Sequence, residues 1–224
     1  MLGYSMPLYI YVIEDLLVSL VLLSSFVMLS SRWISFYIHA YGFQSFLIFV
    51  LTLILGIEAQ SVDLYLVAFL TLFVRTIFVP YILLKMIKKF NIKEEVKLTL
   101  KIPFSIISGV VLTIFAYFLI YRLISPFSSK IVVNASSIAL SLIFVGFFMI
   151  ISRFTTITHI LGLLVIENGI FLLSVVVVPT LPIIVELVVL FDILVTVTAM
   201  LILSMFMKMR TGSFSTAMLN RLVG

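Results

Sequence analysis

Four side chains near the middle of long apolar runs are the ones equipped for chemistry: Glu167, Asp192, Arg75 and Gln44. A charge at the centre of a membrane helix costs about 2.5–3.5 kcal/mol on insertion scales, so such residues persist where they pair, line a hydrated cavity or carry ions. A carboxyl group that moves between dry and hydrated surroundings can take up and release a proton near neutrality, the physical requirement for a relay. Glu167 and Asp192 are groups of that kind. Arg75 stays protonated, so its role is electrostatic, as a counter-charge or a carrier of a field change. Each residue also has a plainer reading. Glu167, followed by Asn168 and by Gly169, which permits close helix approach, would make an interhelical hydrogen bond. Asp192 would hold helices together in a salt bridge, Arg75 would neutralise a buried acid, and Gln44 would be packing glue. His159 precedes Glu167 by eight residues, about 12 Å along a helix, and would link it through water to one membrane face. His39 lies comparably below Gln44. The plainer role for both is a polar core residue near the interface. Glu186, Glu14 and Asp15 lie near run ends, where they can snorkel or meet water.

These residues are set in a chain of 224 residues that is 64% hydrophobic and only 10% charged, with a mean hydropathy of +1.39. Soluble domains are about half apolar and a quarter charged, so a soluble enzyme is excluded and a polytopic all-α membrane protein implied. Zero cysteines rule out disulfides, thiolate metal sites and cluster ligation by this chain. Two histidines cannot build a histidine-rich metal centre. Neither a phosphate loop nor a nucleophile elbow is present, and residues 1–10 lack the basic region and cleavage site of a signal peptide.

Seven apolar runs are long enough to span a bilayer: residues 8–30, 33–56, 64–84, 102–121, 131–151, 154–178 and 182–207. Residues 90–101 have the composition of a short interfacial amphipathic helix. An odd helix count puts the termini on opposite sides. Eleven of the fourteen basic residues then share one side, two (Arg122 and Lys130) the other, and Arg75 stands alone inside a run. By the positive-inside rule the N-terminus faces outward and the C-terminus is cytoplasmic. The net charge of +5 therefore marks orientation and lipid contact, not nucleic acid. Tyrosines, Trp33 and Phe36 near the run ends read as interfacial belts, and the phenylalanines inside helices two to four as lipid-facing or packing residues.

The chain also repeats itself. Ser31-Arg32-Trp33 opens helix two and Ser152-Arg153-Phe154 opens helix six, each followed by a short turn and a helix with a basic end. Helices one to three thus correspond to five to seven as parallel repeats, with helix four as spacer. The expected organisation is a three-helix repeat over 1–89, an amphipathic linker with spacer helix and loop over 90–130, and a second three-helix unit with a basic tail over 131–224.

The run Gly162-Leu163-Leu164-Val165-Ile166-Glu167-Asn168-Gly169, then Leu190-Phe191-Asp192 and the ending Asn220-Arg221-Leu222-Val223-Gly224, resembles the E-type membrane component of hydrogenase-4. Phe43-Gln44-Ser45 and the Arg75 region with Val79-Pro80 extend that resemblance over essentially the whole chain. Residues 131–224 are also similar to the K-type component of respiratory complex I and the C-type component of multisubunit cation/proton antiporters. The resemblance implies a non-catalytic subunit in a prokaryotic cell membrane. Its partners would be antiporter-like membrane subunits, the membrane anchor of a redox arm and soluble iron–sulfur or hydrogenase-like subunits. Iron–sulfur clusters and a nickel–iron centre would belong to those partners, with no cofactor in this chain. Glu167 matches the first of the two membrane glutamates of the K-type component, and Asp192 falls where the second is expected, shorter by one methylene. Gln44 and Arg75 occupy the matching places of the first repeat, and neither is a titrating carboxylate. Two other readings stay open: a structural or assembly subunit, in which Glu167 sits in a dry contact, and a self-contained secondary transporter, which should show Gly/Pro-broken helices near mid-membrane.

Overall fold

The computed structural model describes residues 8–90, 95–96, 100–177, 198 and 202. Six helices among them are long and apolar enough to cross a membrane, and the architecture is all-helical and multi-pass. α1 is Leu8–Ser30, α2 is Ile34–Ala59, and α3 covers residues 62–90. α4 is Ile102–Ile124, α5 is Lys130–Ser152 and α6 is Thr156–Val177. Of expected helix seven only residues 198 and 202 are described, both helical; Asp192, Glu186 and the basic tail lie outside the described residues.

α2 is the centre of the bundle, packing on α1, α3 and α6, while α5 and α6 share the most extensive interface. That interface is close because it is built on glycines. A Cβ on Gly146 would come 2.6 Å from the Gly162 carbonyl oxygen, and one on Gly169 would come 2.7 Å from that of Ala139. With no hydrophobic drive between helices in lipid, backbone approach of this kind supplies the van der Waals contact that holds them. α4 is peripheral, touching α1 and α5, and Phe104, Phe115 and Phe118 on it are exposed. Phe43, Phe46, Phe69 and Phe73 on α2 and α3 are exposed as well, which is where lipid chains would lie.

α3 is not a uniform helix. It is α-helical over Val62–Leu70, π-helical over Thr71–Phe78 and α-helical again over Val79–Phe90. Pro80 has no N–H for the Thr76 carbonyl, and its ring crowds that carbonyl in an α-turn. The wider step, seen where the Val79 N–H reaches the Val74 carbonyl, relieves the clash. Such π segments are rare and concentrate at functional sites; this one contains Arg75.

Residues 95–96 correct the expected interfacial helix. Glu95 pairs with Trp33 in an antiparallel bridge, and the Val96 N–H donates to the Arg32 carbonyl at 2.8 Å. Val96 is buried. The extended backbone here satisfies a carbonyl in the turn between α1 and α2 that a helix at 95–96 would leave unmet.

Gly146→Ala is expected to lower stability by about 1–3 kcal/mol through overpacking, measured as a fall in the unfolding midpoint in detergent. An unchanged midpoint would contradict the close α5–α6 contact.

Candidate functional site

The midpoints of four helices meet in a polar node. Arg75 in the π segment of α3, Gln44 and Ser45 on α2, and Asn168 on α6 all have 0% exposure. Arg75 Nη1 donates to Asn168 Oδ1 at 3.1 Å. Asn168 Nδ2 donates in turn to Gln44 Oε1 at 3.0 Å and to Ser45 Oγ at 3.1 Å. Gln44 Nε2 closes onto the backbone of α1, reaching the Val21 carbonyl at 3.3 Å. Phe171 lies one turn beyond Asn168 on the same face of α6, and the Arg75 guanidinium sits 4.7 Å from its ring centroid. The spacing of three residues therefore lets α6 offer Arg75 both an amide oxygen and the negative face of an aromatic ring.

The arrangement follows from the sequence around it. Gln44 and Ser45 are consecutive and so flank one edge of α2, close enough for one amide group to bridge them. Asn168 uses both of its amide protons and its carbonyl here, most of the capacity of that side chain. Glu167, the residue before it, is 7% exposed, so a carboxyl group stands beside the node in the bundle interior. Four residues singled out from the sequence, Arg75, Gln44, Asn168 and Glu167, are thus brought to one depth. The sequence pattern underrates Asn168, which is the hub and not an accessory, together with Ser45 and Phe171. The signal available is the Glu-Asn-Gly run opposite a Gln-Ser pair.

The histidines do not join this node. His159 is half-buried, and its Nε2 donates to the Arg153 carbonyl at 2.6 Å, which ties down the start of α6. His39 lies on the outer surface of α2, with Nδ1 donating to the Ser35 carbonyl at 2.6 Å. His159 thus sits partly inside the bundle near one end, whereas His39 is an exposed surface residue and not a core one.

Arg153 is a second buried guanidinium, at the end of the bundle where α5 meets α6. The positive-inside pattern places it among the solvated orientation charges, but it is 1% exposed. Nε donates to the Tyr37 hydroxyl at 3.0 Å, Nη2 to the Leu29 carbonyl at 3.1 Å and Nη1 to Ser105 Oγ at 3.4 Å. Tyr37 passes the chain on to the Ser31 carbonyl at 3.2 Å. One side chain thereby joins α1, α2, α4 and the α5–α6 turn, and every one of these partners is a neutral oxygen. Arg32, at the same place in the other Ser-Arg-aromatic turn, is exposed. The difference is that α2 and α4 present a hydroxyl each to Arg153. Asp15, expected to snorkel, is exposed but accepts from Asn134 Nδ2 at 2.8 Å, and Asn134 in turn accepts from Tyr117, linking α1, α5 and α4.

No group of three or more metal-binding side chains occurs among the described residues. Protein-family models, characterised proteins and solved structures contain no match to this chain.

Asn168→Leu is expected to destabilise the chain by about 1–2 kcal/mol, the scale of interhelical hydrogen bonds in membranes plus buried groups left without partners. Asn168→Asp keeps an acceptor for Arg75 and should lose less. The check is the unfolding midpoint of both variants; equal midpoints for N168L and wild type would remove the node's structural role.

Proposed function

We propose that this chain is a non-catalytic membrane subunit of an energy-converting, hydrogenase-like oxidoreductase related to complex I, contributing buried polar residues to proton or cation translocation. The observation that carries the reading is the mid-membrane node of Arg75, Asn168, Gln44 and Ser45 with Glu167 beside it. A bundle this apolar has little reason to bury a guanidinium and a carboxyl group at one depth unless charge is used there. Glu167 is the main relay or field-coupled site. Asp192 is the next step and Arg75 the counter-charge, held by Asn168 and Phe171 so that it cannot leave with the proton. The sequence resemblance to the E-type component of hydrogenase-4 supplies the redox context. Partner subunits supply the electron chemistry, and antiporter-like subunits and the anchor of the redox arm flank this chain.

In this reading the two three-helix repeats are parallel, and the contact of Gln44 with Asn168 joins the middle of one to the middle of the other. The first repeat carries an amide and a guanidinium where the second carries carboxyl groups, so it acts as scaffold and counter-charge. The basic residues orient the chain with its N-terminus outside a prokaryotic cell membrane and its C-terminus in the cytoplasm.

The saturated bonds of Asn168 favour a second reading, a purely structural or assembly subunit. Glu167→Gln separates the two. Relay function predicts that the intact complex assembles with E167Q but loses most of its redox-driven proton translocation, measured by pH-dye quenching in inverted membrane vesicles. Pumping at the wild-type rate with normal assembly would leave the structural reading.

A further inference from the structure

At the end of the bundle opposite Arg153, two acids share a cavity that the relay does not use. Glu14 lies in the second turn of α1 and Glu58 in the last turn of α2. Both line a cavity of about 370 Å³ together with Val18, Leu51, Ser129 and Val175. At about 30 Å³ for each water in the liquid, the space holds roughly a dozen waters. Glu14 is only 4% exposed, yet its Oε1 is buried with no hydrogen-bond partner, as is Oε1 of Glu58. Glu14 also lies in the field of two more negative charges, Glu58 and Asp15.

A buried carboxylate is ordinarily paired, hydrogen-bonded or liganded to a cation. Among the described residues lining this cavity none is basic. Lys130, which begins α5 at the same end, lines a separate cavity with Asp15, Tyr117 and Asn134. Arg122 and Asp63, also at this end, are exposed. A partner that suits two carboxyl groups lining one hydrated space is a cation. Ser129 adds a third oxygen: it accepts the Val132 N–H at 3.4 Å as the N-cap of α5, which leaves a lone pair on the hydroxyl. Carboxylates, a hydroxyl and water are the donor set of a hard cation.

We propose that Glu14 and Glu58 form a binding site for one hard, oxygen-liganded cation, open at the end of the bundle where α1 begins and α2 ends. A divalent ion balances the charge of the pair, whereas a monovalent ion leaves one negative charge. The site is separate from Glu167, and its test does not depend on proton translocation.

The purified full chain in detergent is unfolded thermally in choline chloride, sodium chloride or calcium chloride at constant ionic strength. Calcium or sodium should raise the midpoint by about 5 °C or more at saturation relative to choline, and which of them does so identifies the charge of the ion. Glu14→Gln and Glu58→Gln should each abolish the rise, whereas Asp63→Asn, which removes an exposed acid at the same end, should retain it. Equal midpoints in the three salts, or a rise that survives E14Q and E58Q, overturns the site. Should either variant fail to fold, equilibrium dialysis of the unmodified chain against radioactive calcium and sodium decides: saturable uptake near one ion per chain is expected, and no saturable uptake overturns it.

Discussion

A guanidinium that cannot reach water sets the terms for the helices around it. Arg75 lies at the midpoint of α3, too far from either membrane face for its stem to carry the charge out. Its donors therefore have to be met inside the bundle. Asn168 meets one with its carbonyl, Phe171 faces the cation with its ring, and the amide protons of Asn168 then need acceptors of their own. Gln44 and Ser45 provide them, and Gln44 passes the requirement to the backbone of α1. Satisfying one charge thus fixes the relative depth of α1, α2, α3 and α6. A sliding motion of any one of them breaks at least one buried hydrogen bond.

Two other devices work with that node. Arg153 repeats its logic near one membrane face, drawing neutral oxygens from α1, α2 and α4 onto the turn between α5 and α6. The glycine-lined contact of α5 with α6 acts from the helix midpoints towards the Arg153 end, where Gly146, Gly162 and Gly169 bring backbone against backbone. Packing by small residues supplies attraction without direction, whereas the arginine bonds supply direction and register. Together they fix the place of α6 in the bundle, and α6 is the helix that bears Glu167.

Much of the fold was legible from the residues. Apolar runs of about 20 residues bounded by charges located six helices to within a few residues at most ends, since hydrocarbon thickness sets their length. The depth of Gln44, Arg75 and Glu167 was legible for the same reason: position along a spanning helix is depth. The mixed segment near residue 95 misled, because alternating apolar and charged residues suit an interfacial helix and an extended strand alike. There the deciding fact was the unmet Arg32 carbonyl. Arg153 misled because a basic residue between two runs resembles an orientation charge until hydroxyls from distant helices are brought to it. The π segment left only Pro80 as its trace.

By itself the sequence determined that the chain crosses a membrane, where its helices run and which polar groups lie at mid-depth, because transfer into hydrocarbon depends on composition and length alone. The tertiary structure decided which of those groups touch. Asn168 became the hub, Arg153 became internal while Arg32 stayed outside, and Glu14 and Glu58 came to face one cavity. Rotation of each helix about its axis selects these partners. In a helix that is apolar on nearly every face that angle is set only by contact with its neighbours.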